Sequence, residues 1–130
     1  PSGAFVTAPE LSRYELAPEH PFKPLRLELT RTLAAACGLL GDPHEVAPEQ
    51  FDERRLLALH DPAYVAAVKA VSRGKSVPDA YGYGLGTSDN PVFPGMHEAI
   101  VRVCGATATA VRLVASSEAG RAASFSGGLH

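Results

Sequence analysis

Short apolar runs alternate along the chain with longer stretches in which apolar residues recur every three or four positions. The first run covers residues 4–7, and a loop rich in Pro and Glu follows it. Leu25, Leu29, Leu33 and Cys37 then repeat at helical spacing. A short apolar run predicts a buried strand, and the longer period predicts an amphipathic helix. The chain therefore opens with a predicted strand, loop and helix.

The same alternation continues to the end of the chain. Residues 44–47 form a second, weaker strand pattern, and residues 48–59 have the composition of a helix with Phe51, Leu56, Leu57 and Leu59 available for burial. Asp61 and Pro62 are an N-cap and a first-turn proline, so we predict a helix there that stops before Gly74. Residues 96 to about 116 carry the longest helical pattern, and residues 122–125 form a third apolar run.

Strands that alternate with helices predict an α/β fold with a parallel sheet. Residues 74–95 interrupt this order with a long segment rich in Gly and Pro, and a loop of such length in a compact domain is usually functional. Ligands of parallel sheets bind beyond the carboxyl ends of the strands. The final Gly-Gly-Leu-His, at residues 127–130, is predicted to lie at one such end.

Composition narrows the functional classes. The chain has 130 residues, 45% hydrophobic and 20% charged, with a formal net charge of −2. This balance argues against a nucleic-acid binder, which needs a basic surface, and against intrinsic disorder. The longest apolar run, residues 33–40, is too short to span a membrane, and no signal peptide is visible. Cys37 and Cys104 match no redox or metal spacing, so we expect free thiols in a reducing cytoplasm.

Few residues could carry chemistry on local grounds. His130 follows two glycines at a strand end, but local sequence alone favours a terminal histidine in a tail. Asp89, in the glycine-rich segment, has the surroundings of a turn former, and Arg26 those of an arginine that extends to solvent.

The remaining histidines are expected to be structural. His20 is interpreted as a buried histidine bonded to backbone, with a loop contact as the alternative, and His60 and His97 as structural side chains. No metal-binding spacing occurs in residues 1–130, and the glycine-rich segment lacks the spacing of a phosphate or dinucleotide loop.

Four segments, in order along the chain, resemble one family. Residues 19–26, Glu-His-Pro-Phe-Lys-Pro-Leu-Arg, are similar to the His-Pro-x-Lys/Arg-Pro-x-Arg signature of the zinc-dependent histone-deacetylase superfamily. Residues 59–65 resemble its His-x-x-x-Tyr helix start, and residues 126–130 the beginning of its Gly-Gly-Leu/Trp-His-His-Ala motif. Residues 83–99, with the run Pro-Val-Phe-Pro-Gly-Met-His-Glu, resemble the acetoin-utilisation branch of that superfamily (AcuC).

The resemblance implies a three-layer arginase/deacetylase fold around an eight-stranded parallel sheet. It also implies hydrolysis of an acetyl-lysine amide by a zinc-activated water. Residues 1–130 would then be the N-terminal part of a single deacetylase domain, ending within the tandem-histidine motif. The zinc ligands, the second histidine and the oxyanion tyrosine are expected beyond residue 130. We therefore predict no metal ligand among residues 1–130.

The resemblance also assigns roles to individual residues. His130 matches the first catalytic histidine, and Asp89 the rim aspartate that accepts N–H bonds from the backbone of a peptide substrate. Gly127 and Gly128 match glycines that narrow the acyl-lysine tunnel.

Two further residues match an internal channel for the acetate product. Arg26 corresponds to its arginine, and Tyr14 fits a tyrosine of the channel wall. Thr7 departs from the aromatic residue that is common in relatives.

Three functions remain open at this point. The chain is part of a protein-lysine deacetylase, or a non-catalytic fragment or pseudoenzyme, or part of an enzyme for small acetylamines on the same fold. The expected partners are an acetylated protein or small acetylamine, with no nucleic acid and no membrane. Because about three strands of a larger sheet leave an open apolar edge, we also expect the rest of the domain or another chain along that edge.

Overall fold

Three strands and three α-helices make up the described part of the computed structural model, residues 2–41 and 44–127. The strands are β1 (Gly3–Val6), β2 (Glu45–Val46) and β3 (Arg121–Ala123). The helices are α1 (Leu25–Ala36), α2 (Pro62–Ser72) and α3 (Met96–Ala115). Short 3-10 helices cover Pro9–Ser12 and Glu53–Ala58.

The strands form one parallel sheet in the order β2-β1-β3. Val6 of β1 pairs with Val46 on one side, and Phe5 pairs with Ala123 on the other. The predicted parallel sheet is confirmed. Within the described residues, β2 and β3 are the edges, and β3 is half exposed rather than buried on both faces.

The predicted helix starts after residue 60 and before residue 97 are confirmed, and each has a local cause. Asp61 is extended, with φ −60° and ψ 136°, and its carboxylate accepts a 2.7 Å hydrogen bond from the Ala63 N–H. Pro62 occupies the first turn of α2, where its missing N–H leaves no helical bond unmade. Gly95 precedes α3 with φ +76°, a left-handed conformation that favours glycine.

Two apolar clusters hold these elements together. The first joins β1 and the Pro9–Ser12 turn to α3, through Val6, Leu11, Val103, Ala106, Leu113 and Ala119. The second joins α2 to α3 and includes two residues of the long glycine-rich segment, Leu85 and Phe93. That segment is irregular, as predicted, but its backbone is anchored to the core at both of these side chains.

The helix predicted over residues 48–59 is wrong. Only a 3-10 helix, Glu53–Ala58, forms there, after Asp52 accepts a hydrogen bond from the Arg54 N–H. The Glu49 N–H instead donates a 2.8 Å hydrogen bond to Thr109 Oγ1, and Arg112 contacts the Glu49 carboxylate, so α3 holds the start of this segment. Leu57 and Leu59, predicted as available for burial, are 50% and 88% exposed.

The predicted strand bounds also shift. The third strand begins and ends earlier than residues 122–125, and the second keeps only two residues of the predicted four. Ends of short strands depend on pairing with their neighbours, which composition does not report.

The apolar stripe of α1 lies on the surface of the described chain. No residue of α1 is buried, and Leu25, Leu29 and Leu33 are 55%, 61% and 67% exposed. Contiguous exposed leucines on one helix face mark a surface that another element or molecule covers. Among the described residues, every helix is too short or too polar to cross a membrane.

Candidate functional site

A cleft of about 410 Å³ opens beyond the carboxyl ends of β1 and β3, beside α1. Its walls include Thr7, at the end of β1, and Phe125 and Ser126, which follow β3. Leu27 and Arg31 of α1 close another side. This is the position at which parallel sheets bind ligands. The structure therefore places Thr7, Phe125 and Ser126 at one opening.

Arg26 connects α1 to the segment after β3. Its guanidinium donates a 3.2 Å hydrogen bond from Nη1 to the Phe125 carbonyl, and its carbon lies 4.3 Å from the centre of the Phe22 ring. A guanidinium has five N–H donors in a fixed plane, so one such bond leaves donors for a second acceptor. Arg26 is exposed in the described chain, but its guanidinium contacts both the Phe125 carbonyl and the Phe22 ring.

Tyr14 lies close enough to Arg26 for the positive charge of Arg26 to affect the ionisation of the Tyr14 hydroxyl. Burial raises the pKa of the Tyr14 hydroxyl above its ordinary value, and the positive charge of Arg26 opposes part of that rise. The Tyr14 ring stacks on Phe93, with centroids 5.7 Å apart and planes 10° apart. A raised pKa keeps this hydroxyl protonated, and therefore able to donate a hydrogen bond, throughout the neutral range.

Asp89 lies exposed on the loop before α3. Its backbone carbonyl is 3.1 Å from Nε2 of His20, which is buried and precedes α1. The Phe22 N–H donates a 3.1 Å hydrogen bond to Nδ1 of the same ring. The interpretation of His20 as a buried histidine bonded to backbone is confirmed, and the backbone it contacts includes the loop that carries Asp89.

The described residues leave room for a side chain at position 127, which is occupied by glycine. A Cβ built there would meet no atom of the described residues within 4 Å, and its φ does not require glycine. Neither packing within the described chain nor backbone conformation therefore requires glycine at this position. Gly128 and His130 lie outside the described residues.

Among the described residues, the segment 20–26 contains Arg26 and contacts the backbone of Asp89 and the segment before Gly127. His20 contacts the Asp89 backbone, Phe22 lies under Arg26, and Arg26 contacts the Phe125 carbonyl, two residues before Gly127. Sequence reasoning missed Phe22 and Phe93 as supports. Phe22 lies within the segment that resembles the family signature, but nothing in the local sequence links Tyr14 to Phe93.

Within residues 2–41 and 44–127, no group of three or more His, Cys, Asp or Glu side chains could hold a metal ion. Both cysteines are unpaired, with Cys37 exposed and Cys104 partly buried. Burial raises the pKa of the Cys104 thiol.

Comparison with known proteins decides the family. Residues 20–130 match the histone deacetylase domain. The chain belongs to the histone deacetylase family. It is 39% identical over 127 residues to the acetoin utilization protein AcuC of Bacillus subtilis strain 168, covering 97% of this chain and 33% of that protein. It is 33% identical over 128 residues to AcuC of Staphylococcus aureus strain MRSA252, covering 98% of this chain and 33% of that protein.

Solved structures of histone deacetylase homologues share the fold. One homologue, crystallised in complex with SAHA, superposes with a TM-score of 0.80 at 21% identity, over 95% of this chain and 33% of its own. The homologue from Aquifex aeolicus gives a TM-score of 0.79 at 20% identity, with the same coverage. The arginase/deacetylase fold is thereby confirmed for this part of the domain. The chain spans about a third of the length of the relatives it matches.

A buried histidine lies apart from these residues in the deacetylase fold. His97, at the start of α3, is 5% exposed, and its Nε2 is buried with no hydrogen-bond partner among the described residues. The same Nε2 is 3.8 Å from Oε2 of Glu53, which Lys69 contacts at 2.6 Å. Glu98 raises the pKa of His97 and Arg73 lowers it, each by a smaller amount than burial does. Burial lowers the pKa of His97, and the Glu53 carboxylate only partly offsets it.

Acid should therefore destabilise the fold through His97. Because its folded pKa lies below the ordinary value of about 6.5, the unfolded chain binds a proton first as the pH falls. Stability attributable to His97 is present above about pH 6.5 and is lost below it. We expect His97→Gln to reduce the difference in urea-unfolding free energy between pH 8 and pH 5.5. An unchanged difference, with both proteins equally stable at pH 8, would contradict this.

Proposed function

We propose that this chain forms the N-terminal, substrate-facing part of a cytoplasmic deacetylase domain that hydrolyses acetyl-lysine amides. One observation carries the proposal. In a chain of the histone deacetylase family, residues 20–26 contact both the Asp89 loop and the segment that leads from β3 to Gly127. Residues 20–26 would then support the substrate rim, the acyl tunnel and the product channel together. The free thiols of Cys37 and Cys104 are compatible with a reducing compartment.

Zinc chemistry would come from outside the described residues. A catalytic zinc takes about three protein ligands and an open position, and residues 2–41 and 44–127 provide no such set. The described residues therefore do not by themselves fit a catalytic zinc ion. His130, proposed as the first catalytic histidine, also lies outside them.

Asp89 and Gly127 would bind the substrate. The Asp89 carboxylate, exposed on an anchored loop, would accept backbone N–H bonds from a peptide on either side of the acetyl-lysine. Gly127, with open space around its Cα, would let the acyl-lysine chain pass. Gly128 is proposed to do the same.

Arg26 and Tyr14 would bind the acetate that hydrolysis releases. The guanidinium, already held by Phe22 and the Phe125 carbonyl, can present its remaining N–H donors to a carboxylate. The Tyr14 hydroxyl stays protonated because burial raises its pKa, so it can donate to the same anion. Both groups would stabilise the negative charge of the acetate.

The exposed face of α1 fits a chain that is one part of a larger domain. We propose that the rest of the deacetylase domain covers Leu25, Leu29 and Leu33. Support comes from the length comparison, because the relatives are about three times as long as the matched part. A covering by another chain is the alternative.

The test of the proposed function is Asp89→Asn in the complete domain. Asparagine keeps one acceptor oxygen but removes the charge, so each hydrogen bond weakens from about 1.5–3 to about 0.5–1.5 kcal/mol. We therefore expect peptide kcat/KM to fall roughly 10-fold. Turnover of a small acetyl-lysine analogue without flanking amides should stay within about twofold. Both rates are measured as acetate release.

Ser88→Ala is the matched control, because it changes an exposed neighbour in the same loop without altering charge. It should leave both rates close to wild type. Equal losses on both substrates in Asp89→Asn would make the residue a turn former. A wild-type domain that hydrolyses neither substrate would contradict the proposed function and favour the non-catalytic alternative. Activity on the small amide alone would favour an acetylamine substrate.

A further inference from the structure

His20 has two hydrogen bonds that together define its protonation. The Phe22 N–H donates to Nδ1 at 3.1 Å, so Nδ1 has no proton of its own. A neutral imidazole then carries its proton on Nε2, which can donate it to the Asp89 carbonyl at 3.1 Å. The ring is 5% exposed, which shields both bonds from water. His20 is thus a neutral donor aimed at one backbone oxygen.

That oxygen belongs to the peptide unit between Asp89 and Asn90. The N–H of the same unit donates to Thr87 Oγ1 at 2.9 Å, so the peptide plane is held on both sides. The Asn90 side chain and carbonyl close the loop further, through 2.9 Å bonds with Gly84 and Gly86. These loop bonds are local, whereas the bond from His20 crosses 69 residues of sequence.

A fixed peptide plane restricts ψ of Asp89 and therefore the direction in which its Cα–Cβ bond leaves the backbone. Recognition groups need placement to about 0.5 Å to act fully. Leu85 anchors the loop in the core, but three residues separate it from Asp89. The tether from His20 acts at Asp89 itself.

We propose that His20 is a positioning residue for peptide recognition: its Nε2–H holds the Asp89 peptide plane so that the Asp89 carboxylate faces the substrate backbone. This inference rests on the proposed function, which places Asp89 at the substrate rim. It assigns His20 no contact with substrate and no proton transfer. Loss of the tether should therefore weaken peptide binding and leave the chemical step unchanged.

Two substitutions separate the two bonds of the ring. Asparagine places its amide oxygen near the position of Nδ1, so His20→Asn keeps the Phe22 contact and loses the donor to Asp89. Glutamine reaches to the position of Nε2 with an N–H donor, so His20→Gln keeps the Asp89 contact and loses the other. Both are neutral amides at a buried site, so each controls for the loss of the ring.

Steady-state kinetics in the complete domain provide the first measurement. With an acetyl-lysine peptide, we expect His20→Asn to raise KM roughly 3- to 10-fold, the effect of losing one neutral hydrogen bond, at unchanged kcat. His20→Gln should stay within about twofold of wild type. With a small acetyl-lysine amide that lacks flanking peptide, both variants should match wild type.

Amide hydrogen exchange provides the second measurement and does not depend on turnover. The Asn90 N–H lies in the tethered peptide plane, so its exchange should be faster in His20→Asn than in wild type and near wild type in His20→Gln. Thermal unfolding followed by circular dichroism checks that both variants fold.

The outcomes distinguish the inference from the function it rests on. If wild type hydrolyses the peptide but His20→Asn raises KM equally on both substrates, or lowers kcat alone, the positioning role is wrong. The positioning role is also wrong if His20→Gln and His20→Asn have the same KM and the same exchange rate of the Asn90 N–H. If wild type hydrolyses neither substrate, the proposed function fails and the role in peptide recognition fails with it, whatever the exchange rates show about the tether.

Discussion

Residues 1–130 alone are expected to show no metal-dependent hydrolysis of an acetyl-lysine peptide, even with zinc added. The physical reason is the count of ligands, because the described residues contain no group of three that could hold a metal ion. Loss of general acid–base assistance alone costs about 10²- to 10⁴-fold, and loss of an activated water adds to it. The measurement is acetate release by the purified chain, compared with the chain fused to the C-terminal segment of a bacterial relative.

The fusion is the positive arm of that experiment. It should restore turnover that a chelator abolishes, and it should also shield the α1 leucines from solvent. Chelator-sensitive turnover by residues 1–130 alone would show that the metal site has been misplaced. A fusion that folds cooperatively yet remains inactive would favour a non-catalytic role.

The elements predicted well from sequence are those whose cause is local. Asp61 and Pro62 determine the start of α2 by capping and by a fixed φ, and both effects act within one turn. The 20 residues of α3 follow from a long apolar period that ends in Ser and Gly. The order of strands and helices predicted a parallel sheet, because parallel strands need a crossover between them.

The elements that local patterns do not determine depend on partners distant in sequence. The leucines of α1 have helical spacing, which predicts the helix but not which element covers its face, and in the described chain none does. The failed helix over residues 48–59 shows the same limit. Its composition suits a helix, but the Glu49 N–H bonds to Thr109 of α3, 60 residues away, and only a 3-10 helix follows.

The candidate site was predicted from a family resemblance rather than from local chemistry. Taken locally, Asp89 has the features of a turn former and Arg26 those of a surface arginine. The contacts that change this interpretation span 69 residues, from His20 to Asp89, and 99 residues, from Arg26 to Phe125. Neither pairing leaves a periodic signal in one sequence, so geometry was needed to show that both begin in the same short segment.

The second large effect is expected for Arg26→Lys in the complete domain. Lysine keeps the charge but replaces a planar fork, stacked on Phe22 and bonded to the Phe125 carbonyl, with a single mobile ammonium. A two-pronged, charge-assisted contact with acetate would be lost, at about 1.5–3 kcal/mol for one such bond. We therefore expect the inhibition constant for added acetate to rise about 10- to 100-fold. Its measurement is product inhibition at a fixed peptide concentration.

Arg31→Lys is the matched control, because Arg31 lies on the same helix but binds Glu45 at 2.9 Å and lines the neighbouring cleft. It should leave acetate inhibition near wild type. A rise in Arg31→Lys alone would place the acetate in that cleft rather than beside Arg26. Unchanged turnover and unchanged inhibition in Arg26→Lys would remove the channel role altogether, leaving Arg26 as a structural link between α1 and the segment after β3. Comparison of the two variants therefore distinguishes an acetate site beside the Phe125 carbonyl from one in the cleft at the ends of the strands.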